Sequence, residues 1–306
     1  MNILITGGTG FIGGKLKYHL IEKGHHIYIL TRTPENHVDS KSETYIPYTV
    51  DASKLPEIYG VVNLAGESLF GYWTKDKKNK ILSSRLNATK QLLELVKSLS
   101  TKPKVWINGS AVGFYGSATD IIFTENTTDA GNDFLSSVVS DWESTASQAE
   151  ELGIRTVYAR FGIVLDKNDG SLPLMTLPVK LFVGGKIGDG EQWISWIHID
   201  DAVSLLNFCL LHEKIEGPVN FTAPYPKRNK EFYQILAEVY KRPYWFPTPK
   251  FLMSLAMGEM AQLITEGQYV LPQRALDSEF LFKFPKLKPA LISLKNNEYS
   301  SKIFNN

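Results

Sequence analysis

Asn2-Ile3-Leu4-Ile5-Thr6-Gly7-Gly8-Thr9-Gly10-Phe11-Ile12-Gly13 is the stretch that decides how the rest of the chain is read. Asn2–Thr6 is a short apolar, β-branched run, the pattern of a buried strand, and helical spacing follows from Gly13 to Ile21. Between them glycines stand at positions 7, 10 and 13, a Gly-x-x-Gly-x-x-Gly form of the dinucleotide fingerprint. One glycine permits a sharp turn, one lets the backbone approach a pyrophosphate, and one lets the helix pack close to the strand. The helix amino end then offers free N–H groups and a positive dipole end to phosphate. In an arbitrary loop the same glycines would mark only a turn; a strand before and a helix behind supply the context the motif requires.

Beyond the first helix, Lys23-Gly24 reads as a C-cap and His26–Leu30 as a second strand. NAD enzymes usually end this strand with a carboxylate for the ribose 2′-OH, whereas a basic residue suits the 2′-phosphate of NADP. The chain has Thr31-Arg32-Thr33 and no acid before Glu35, which favours NADP(H) over NAD(H), with a solvated surface arginine as the plain alternative. Tyr45–Val50 reads as a third strand, with Asp51 at its end placed to meet an adenine edge. Gly60–Asn63 reads as a fourth, leading into the small-residue turn Leu64-Ala65-Gly66. Asp76–Ser98 has a helical apolar face (Ile81, Leu82, Leu86, Leu92, Leu93, Val96), with lysines 75, 77, 78 and 80 as its solvated side. Lys104–Asn108 is a fifth strand, Phe134–Leu152 a helix closed by Gly153, and Arg155–Phe161 a sixth strand.

This alternation predicts an α/β fold with a doubly wound, Rossmann-like parallel sheet. The expected organisation is a nucleotide-binding domain over residues 1–165, rejoined by about 197–225. A smaller mixed substrate-cleft domain is expected from 166–196 plus 226–306. In the latter, helices are expected over 229–241, ended by Arg242-Pro243, and around 251–263, before a basic, proline-punctuated tail.

The 306 residues carry 33 Lys and Arg against 32 Asp and Glu. Near-neutrality gives no electrostatic footprint for nucleic acid or an anionic membrane, and no apolar run reaches membrane-spanning length. Cys209 is the only cysteine, lies in an apolar run and can form no internal disulfide. With strand one at the chain start and no room for a signal peptide, the expectation is a soluble cytoplasmic protein, monomer or dimer, with a small-molecule substrate. The six histidines make no metal-ligand spacing.

Four stretches together resemble the extended short-chain dehydrogenase/reductases: Thr6–Gly13, Asn63-Leu64-Ala65-Gly66, Gly109-Ser110-Ala111-Val112-Gly113-Phe114-Tyr115-Gly116 and Trp196-Ile197-His198-Ile199-Asp200-Asp201. More narrowly the chain is similar to the atypical, YfcH-like group of "epimerase family" proteins, through Gln192–His198, Pro218–Pro224, Gly258-Glu259-Met260-Ala261 and Gly267–Pro272. The resemblance implies an NAD(P)-binding Rossmann-like domain and a substrate cleft beneath the C-terminal part. It places Thr9, Phe11 and Ile12 with Gly7, Gly10 and Gly13 at the pyrophosphate, and Arg32 at the 2′-phosphate. Asn63, Leu64, Ala65 and Gly66 would line the ribose and nicotinamide, and Ser110 would stand beside the reacting carbon.

The chain departs from that superfamily where proton transfer is usually performed. No tyrosine has a lysine four residues later, and Val138 and Trp142 fill the slots of the Tyr-x-x-x-Lys pair. Ser110 and Tyr115 are the remaining catalytic candidates, although Tyr115 reads more simply as a packing aromatic, with no neighbouring lysine to tune it. Glu67, Trp193, Trp196 and His198 are substrate-cleft candidates, with Lys75, Phe182 and Trp245 weaker ones; His198 reads more simply as the cap of a helix starting at Asp200-Asp201. Two functions follow: an NADP-dependent oxidoreductase or epimerase-like enzyme, or a non-catalytic NADP(H)-binding sensor or interaction module.

Overall fold

A computed structural model describes residues 1–296; the last ten residues of the expected basic tail lie outside the described residues. Seven parallel strands build the main sheet: β1 (Asn2–Thr6), β2 (His26–Thr31), β3 (Glu43–Pro47), β4 (Gly60–Asn63), β5 (Val105–Ala111), β6 (Arg155–Phe161) and β7 (Gly217–Phe221). Their order is β7-β6-β5-β4-β1-β2-β3, so the chain reverses its winding between β1 and β4. A doubly wound sheet opens its ligand crevice at that switch, outside the strand carboxyl ends.

Alternate strand residues feed two cores. On one face Ile3, Ile5, Ile27 and Ile29 pack with Leu16 and Leu20 of α1 (Phe11–Glu22) and Leu205 and Leu206 of α5 (Ile199–Leu211). On the other, Leu4, Val61 and Trp106 meet Leu92 and Val96 of α2 (Lys75–Ser98). Burial on both faces explains why the strands are near-continuous apolar runs. The first core continues without a break into α6 (Asn229–Tyr240), through Phe232 and Leu236. Between these elements run α3 (Phe134–Ala146) and α4 (Leu172–Lys180), and α7 (Lys250–Met257) and α8 (Leu287–Asn296) close the described chain.

Several sequence expectations need correction. β3 ends at Pro47, not Val50: proline has no N–H to continue the ladder, and the chain turns as Val50 N–H donates to the Pro47 carbonyl at 3.1 Å. The helix expected over 134–152 is α-helical to Ala146 and then tightens to a 3₁₀ run ending at Gly153, whose φ of 73° caps it. The helix expected around 251–263 is broken at Gly258, which adopts φ 60°, and resumes as a short turn at Gln262–Thr265. The tail read as punctuated by proline holds α8, because Pro289 falls in its first turn, where a missing N–H is harmless. Its stripe Leu287, Ala290, Leu291 and Leu294 is buried in the main core.

Leu291, 1 % exposed, tests whether α8 belongs to that core. Leu291→Ala is expected to lower urea-unfolding stability by about 2–4 kcal/mol. A loss below about 0.5 kcal/mol, the range of surface substitutions, would show that α8 is not a structural part of it.

Candidate functional site

The turn from β1 to α1 is held by contacts only glycine allows. Gly7 has φ 69°, and a Cβ there would stand 2.7 Å from the backbone of Leu64. A Cβ on Gly13 would stand 2.2 Å from the Gly7 carbonyl oxygen. The amino end of α1 is therefore drawn against the ends of β1 and β4. No side chain caps it and no acid occupies its first turn, while Thr9 and Gly10 are exposed. Unsatisfied amides, a dipole end and an open backbone surface are what a diphosphate requires. Gly10, Phe11 and Ile12 stand in this turn, and Leu64 and Ala65 border it from the end of β4, while Gly66 lies against Arg85.

Asn63 was expected to line the ribose, but its side chain is sealed inside. It is fully buried, accepts from Thr6 Oγ1 at 2.6 Å, and donates to Thr89 Oγ1 at 2.8 Å and Asn108 Oδ1 at 2.6 Å. The amide thereby ties the ends of β1, β4 and β5 to α2. Trp142 joins this network, donating from Nε1 to Thr89 Oγ1 at 3.0 Å. Its ring lies against Gly109, where a Cβ would come within 2.8 Å. The indole in the lysine slot is thus a packing and bridging group, and Val138 in the tyrosine slot is 3 % exposed core.

Ser110, at the carboxyl end of β5, donates its hydroxyl to Glu143 Oε1 at 2.5 Å. Arg160, its neighbour on β6, grips the same carboxylate through Nε to Oε1 and Nη2 to Oε2, both at 2.8 Å. The side chains of Arg160 and Glu143 are only 5 % and 12 % exposed, and this fork-to-fork geometry is the strong form of the ion pair. Burial would lower the Arg160 pKa, but the Glu143 carboxylate more than offsets it and the net shift is upward. Neither Glu143 nor Arg160 was singled out from sequence. The available signal was Trp142-Glu143, one residue beyond an empty catalytic slot.

Tyr115 does not face a cleft. Its ring stacks on Phe123 with centroids 5.2 Å apart and its hydroxyl donates to Asn220 Oδ1 at 2.8 Å; burial pushes its pKa up. Trp196 is likewise core, fully buried, rather than cleft lining. Trp193 is half-buried, donates to the Thr119 carbonyl at 2.9 Å and carries Arg228 over its ring at 3.9 Å. Phe182 and Trp245 are both exposed, joined by the Trp245 indole N–H on the Phe182 carbonyl.

His198 caps α5, its Nδ1 accepting the Asp200 N–H at 3.0 Å. One residue on from that ring's backbone partner, the chain stays anchored: buried Asp201 accepts the N–H groups of Lys283 and Phe284 at 2.7 and 2.9 Å. The His-Ile-Asp-Asp motif therefore fastens the C-terminal segment to the sheet layer. Ser195 does the same for 268–270, donating to the Gln268 carbonyl and accepting from Val270 N–H.

Arg32 is exposed at the end of β2, where its charge is felt at Tyr48 and Glu67. Asp51 is four residues past β3, and its carboxylate is held below its ordinary range by the Ser53 N–H and hydroxyl. Glu67 pairs with Lys77 at 2.7 Å, and Lys78 with Glu259, so two lysines read as solvated are engaged; Lys75 is exposed. Arg85, also missed from sequence, backs the 66–67 turn, donating to the Glu67 carbonyl at 3.1 Å. The loop after β4 is clamped to the C-terminal helices by Tyr72 Oη on the Ala256 carbonyl at 2.7 Å. Among the described residues no cluster of ligands suited to a metal occurs and no helix is long and apolar enough to cross a membrane.

Two outcomes follow from this geometry. Gly13→Ala is expected to abolish nucleotide binding measured by fluorescence titration; wild-type affinity in that variant would contradict the cradle. Burial drives the His198 pKa down to about 4, below its ordinary value of about 6.5. Folding stability is then complete above pH 6.5 and falls as the pH drops toward 4. The expected loss between pH 7 and 5 is about 2 kcal/mol, and His198→Asn, which keeps a capping acceptor, should flatten that slope in urea-unfolding curves.

Residues 3–221 match the model of the NAD dependent epimerase/dehydratase family, and residues 248–294 match a domain of unknown function, DUF1731. The chain is 45 % identical over 298 residues to epimerase family protein YfhF of Bacillus subtilis, covering 96 % of this chain and 98 % of that one. Human epimerase family protein SDR39U1 (isoform 2), crystallised with NADPH, superimposes with a TM-score of 0.87 at 31 % identity, over 97 % of this chain and all of that one. The nucleoside-diphosphate sugar epimerase of Corynebacterium glutamicum gives 0.78 at 30 % identity, over 99 % of this chain and 60 % of that one. Sheet order, glycine turn and these similarities agree: the chain belongs to the NAD-dependent epimerase/dehydratase family, in its atypical short-chain dehydrogenase/reductase-like branch.

Proposed function

We propose that the protein is an NADP-dependent oxidoreductase or epimerase-like enzyme that exchanges hydride with a small polar molecule, of the size and polarity of a nucleotide sugar. The observation that carries this reading is the glycine cradle: uncapped amides at the start of α1, closed against β4 by contacts that any Cβ would break. The amides of Phe11 to Gly13 would hold the diphosphate, and Arg32 the 2′-phosphate. The bound nucleotide supplies hydride exchange at its nicotinamide. Ser110, at the carboxyl end of the strand beside β4, is the hydroxyl that meets the reacting oxygen, and the buried Glu143–Arg160 pair fixes its orientation.

Preference for NADP is supported by the exposed Arg32, the absence of a carboxylate before Glu35, and the NADPH in the human relative's crystal. A non-catalytic nucleotide-binding module is the second reading, favoured by the core roles of Val138 and Trp142; it predicts that Ser110→Ala changes no measurable property except local stability.

Nucleotide fluorescence titrations test the assignment. Wild type is expected to bind NADPH at least about tenfold more tightly than NADH, an advantage of about 1.4 kcal/mol. Arg32→Ala should remove that advantage. Equal affinities in the wild type would contradict the NADP assignment, and no affinity for either would contradict the whole reading.

A further inference from the structure

The Ser110 hydroxyl has one proton and two lone pairs. Its proton is already spent. Glu143 Oε1 lies 2.5 Å from Oγ, and the carboxylate is the counter-ion of a nearly buried guanidinium that binds both of its oxygens. A carboxylate so held only accepts, so Ser110 must be the donor of that bond. Neutralising Glu143 would leave the Arg160 charge buried and uncompensated, which is strongly unfavourable. What Oγ offers any other partner is therefore lone pairs. A ligand group that meets it has to be a donor, and a carbonyl oxygen is the wrong partner.

We propose that Glu143 fixes Ser110 as a hydrogen-bond acceptor, so that the site takes the hydroxyl form of its substrate and withdraws the hydroxyl proton through Ser110 to Glu143. This rests on reading the site as one of hydride exchange. The substrate O–H bond breaks as a new Oγ–H bond forms, and the original Oγ–H bond breaks as the proton passes to Glu143 Oε1. The carbinol carbon is oxidised to a carbonyl as its hydride leaves to the oxidised nucleotide, which is reduced. Glu143 is neutral only in passing: the charge of Arg160 disfavours that state, so the proton goes on to solvent water at the 12 % of the side chain that is exposed, and the ion pair is restored. Glu143 acts through Ser110 and is a positioning residue that also relays the proton; Arg160 returns it to the anion. Together they perform, from the same helix and the neighbouring strand, the task for which Val138 and Trp142 have no chemistry.

Saturation-transfer NMR on the holoenzyme tests this with a matched pair of probes, each combined with the nucleotide it cannot react with. These are cyclohexanol with NADPH and cyclohexanone with NADP. Wild type should favour the alcohol by about tenfold or more, the size of one mismatched buried hydrogen bond. Glu143→Gln, whose amide can donate to Oγ and free the serine proton, should lose or reverse that preference, and Glu143→Asp should restore part of it. An equal response to the two probes in wild type, no response included, overturns the proposal, as does an unchanged preference in Glu143→Gln.

A second measurement needs neither nucleotide nor probe, so loss of nucleotide binding would count against the proposed function while the proton's position is still decided separately. In Ser110→Cys the thiolate absorbance should titrate above the ordinary thiol value of about 8.5. Cys209, pushed up to about 12 by burial, stays silent below pH 10. Adding Glu143→Gln should bring the titration back to or below the ordinary value. Should that double variant fail to fold, the single variant decides: a thiol titrating at or below the ordinary value shows that Glu143 does not hold the proton of residue 110.

Discussion

The α-hydrogen of Gly13 sits where a methyl group would lie 2.2 Å from the Gly7 carbonyl oxygen. That approach draws the amino end of α1 onto the ends of β1 and β4 and leaves its first amides without a side-chain cap. Everything placed around the crevice is referred to this contact. β4 delivers Leu64 and Ala65 to the back of the glycine turn, and β5, next in the sheet, delivers Ser110. The seven-stranded order that puts the reversal of winding between β1 and β4 is the same fact at the scale of the fold.

Beneath the crevice lies a layer of buried polar side chains whose work is positional. Asn63, Asn108, Thr6, Thr89 and Trp142 satisfy one another across five elements. Such networks specify a single arrangement because every unpaired member is costly in a low-dielectric interior. Val138 and Trp142 leave no hole in the structure: the one is core, and the other joins this network. Charge reappears one residue along α3, at Glu143, and one strand over, at Arg160. Ser110 stands against this pair, its hydroxyl directed at Glu143.

The sheet, the glycine turn and the helix amino end were legible in the sequence because each has a local signature: β-branched runs, glycine spacing, capping residues and helical periodicity. The role of His198 as a cap was legible for the same reason, since Asp200 and Asp201 follow it directly. What was not legible depends on contacts between distant residues. Whether Asn63 faces a ligand or the interior depends on residues 26 and 45 positions away, and the orientation of Tyr115 depends on Asn220. Trp196 in isolation reads as well for a pocket wall as for core. Local rules also hid α8, whose proline and lysines outweigh its apolar stripe until the stripe is seen docked. Glu143 and Arg160 were missed because a carboxylate and a guanidinium 17 residues apart announce nothing until a helix is folded over two adjacent strands.

The most direct measurement of the central claim is a crystal structure of the protein with NADPH. The account predicts the diphosphate within hydrogen-bonding distance of the backbone amides at the start of α1, lying over the glycines without displacing Leu64 or Ala65. A nucleotide bound elsewhere, or a glycine turn that must open to admit it, would contradict it.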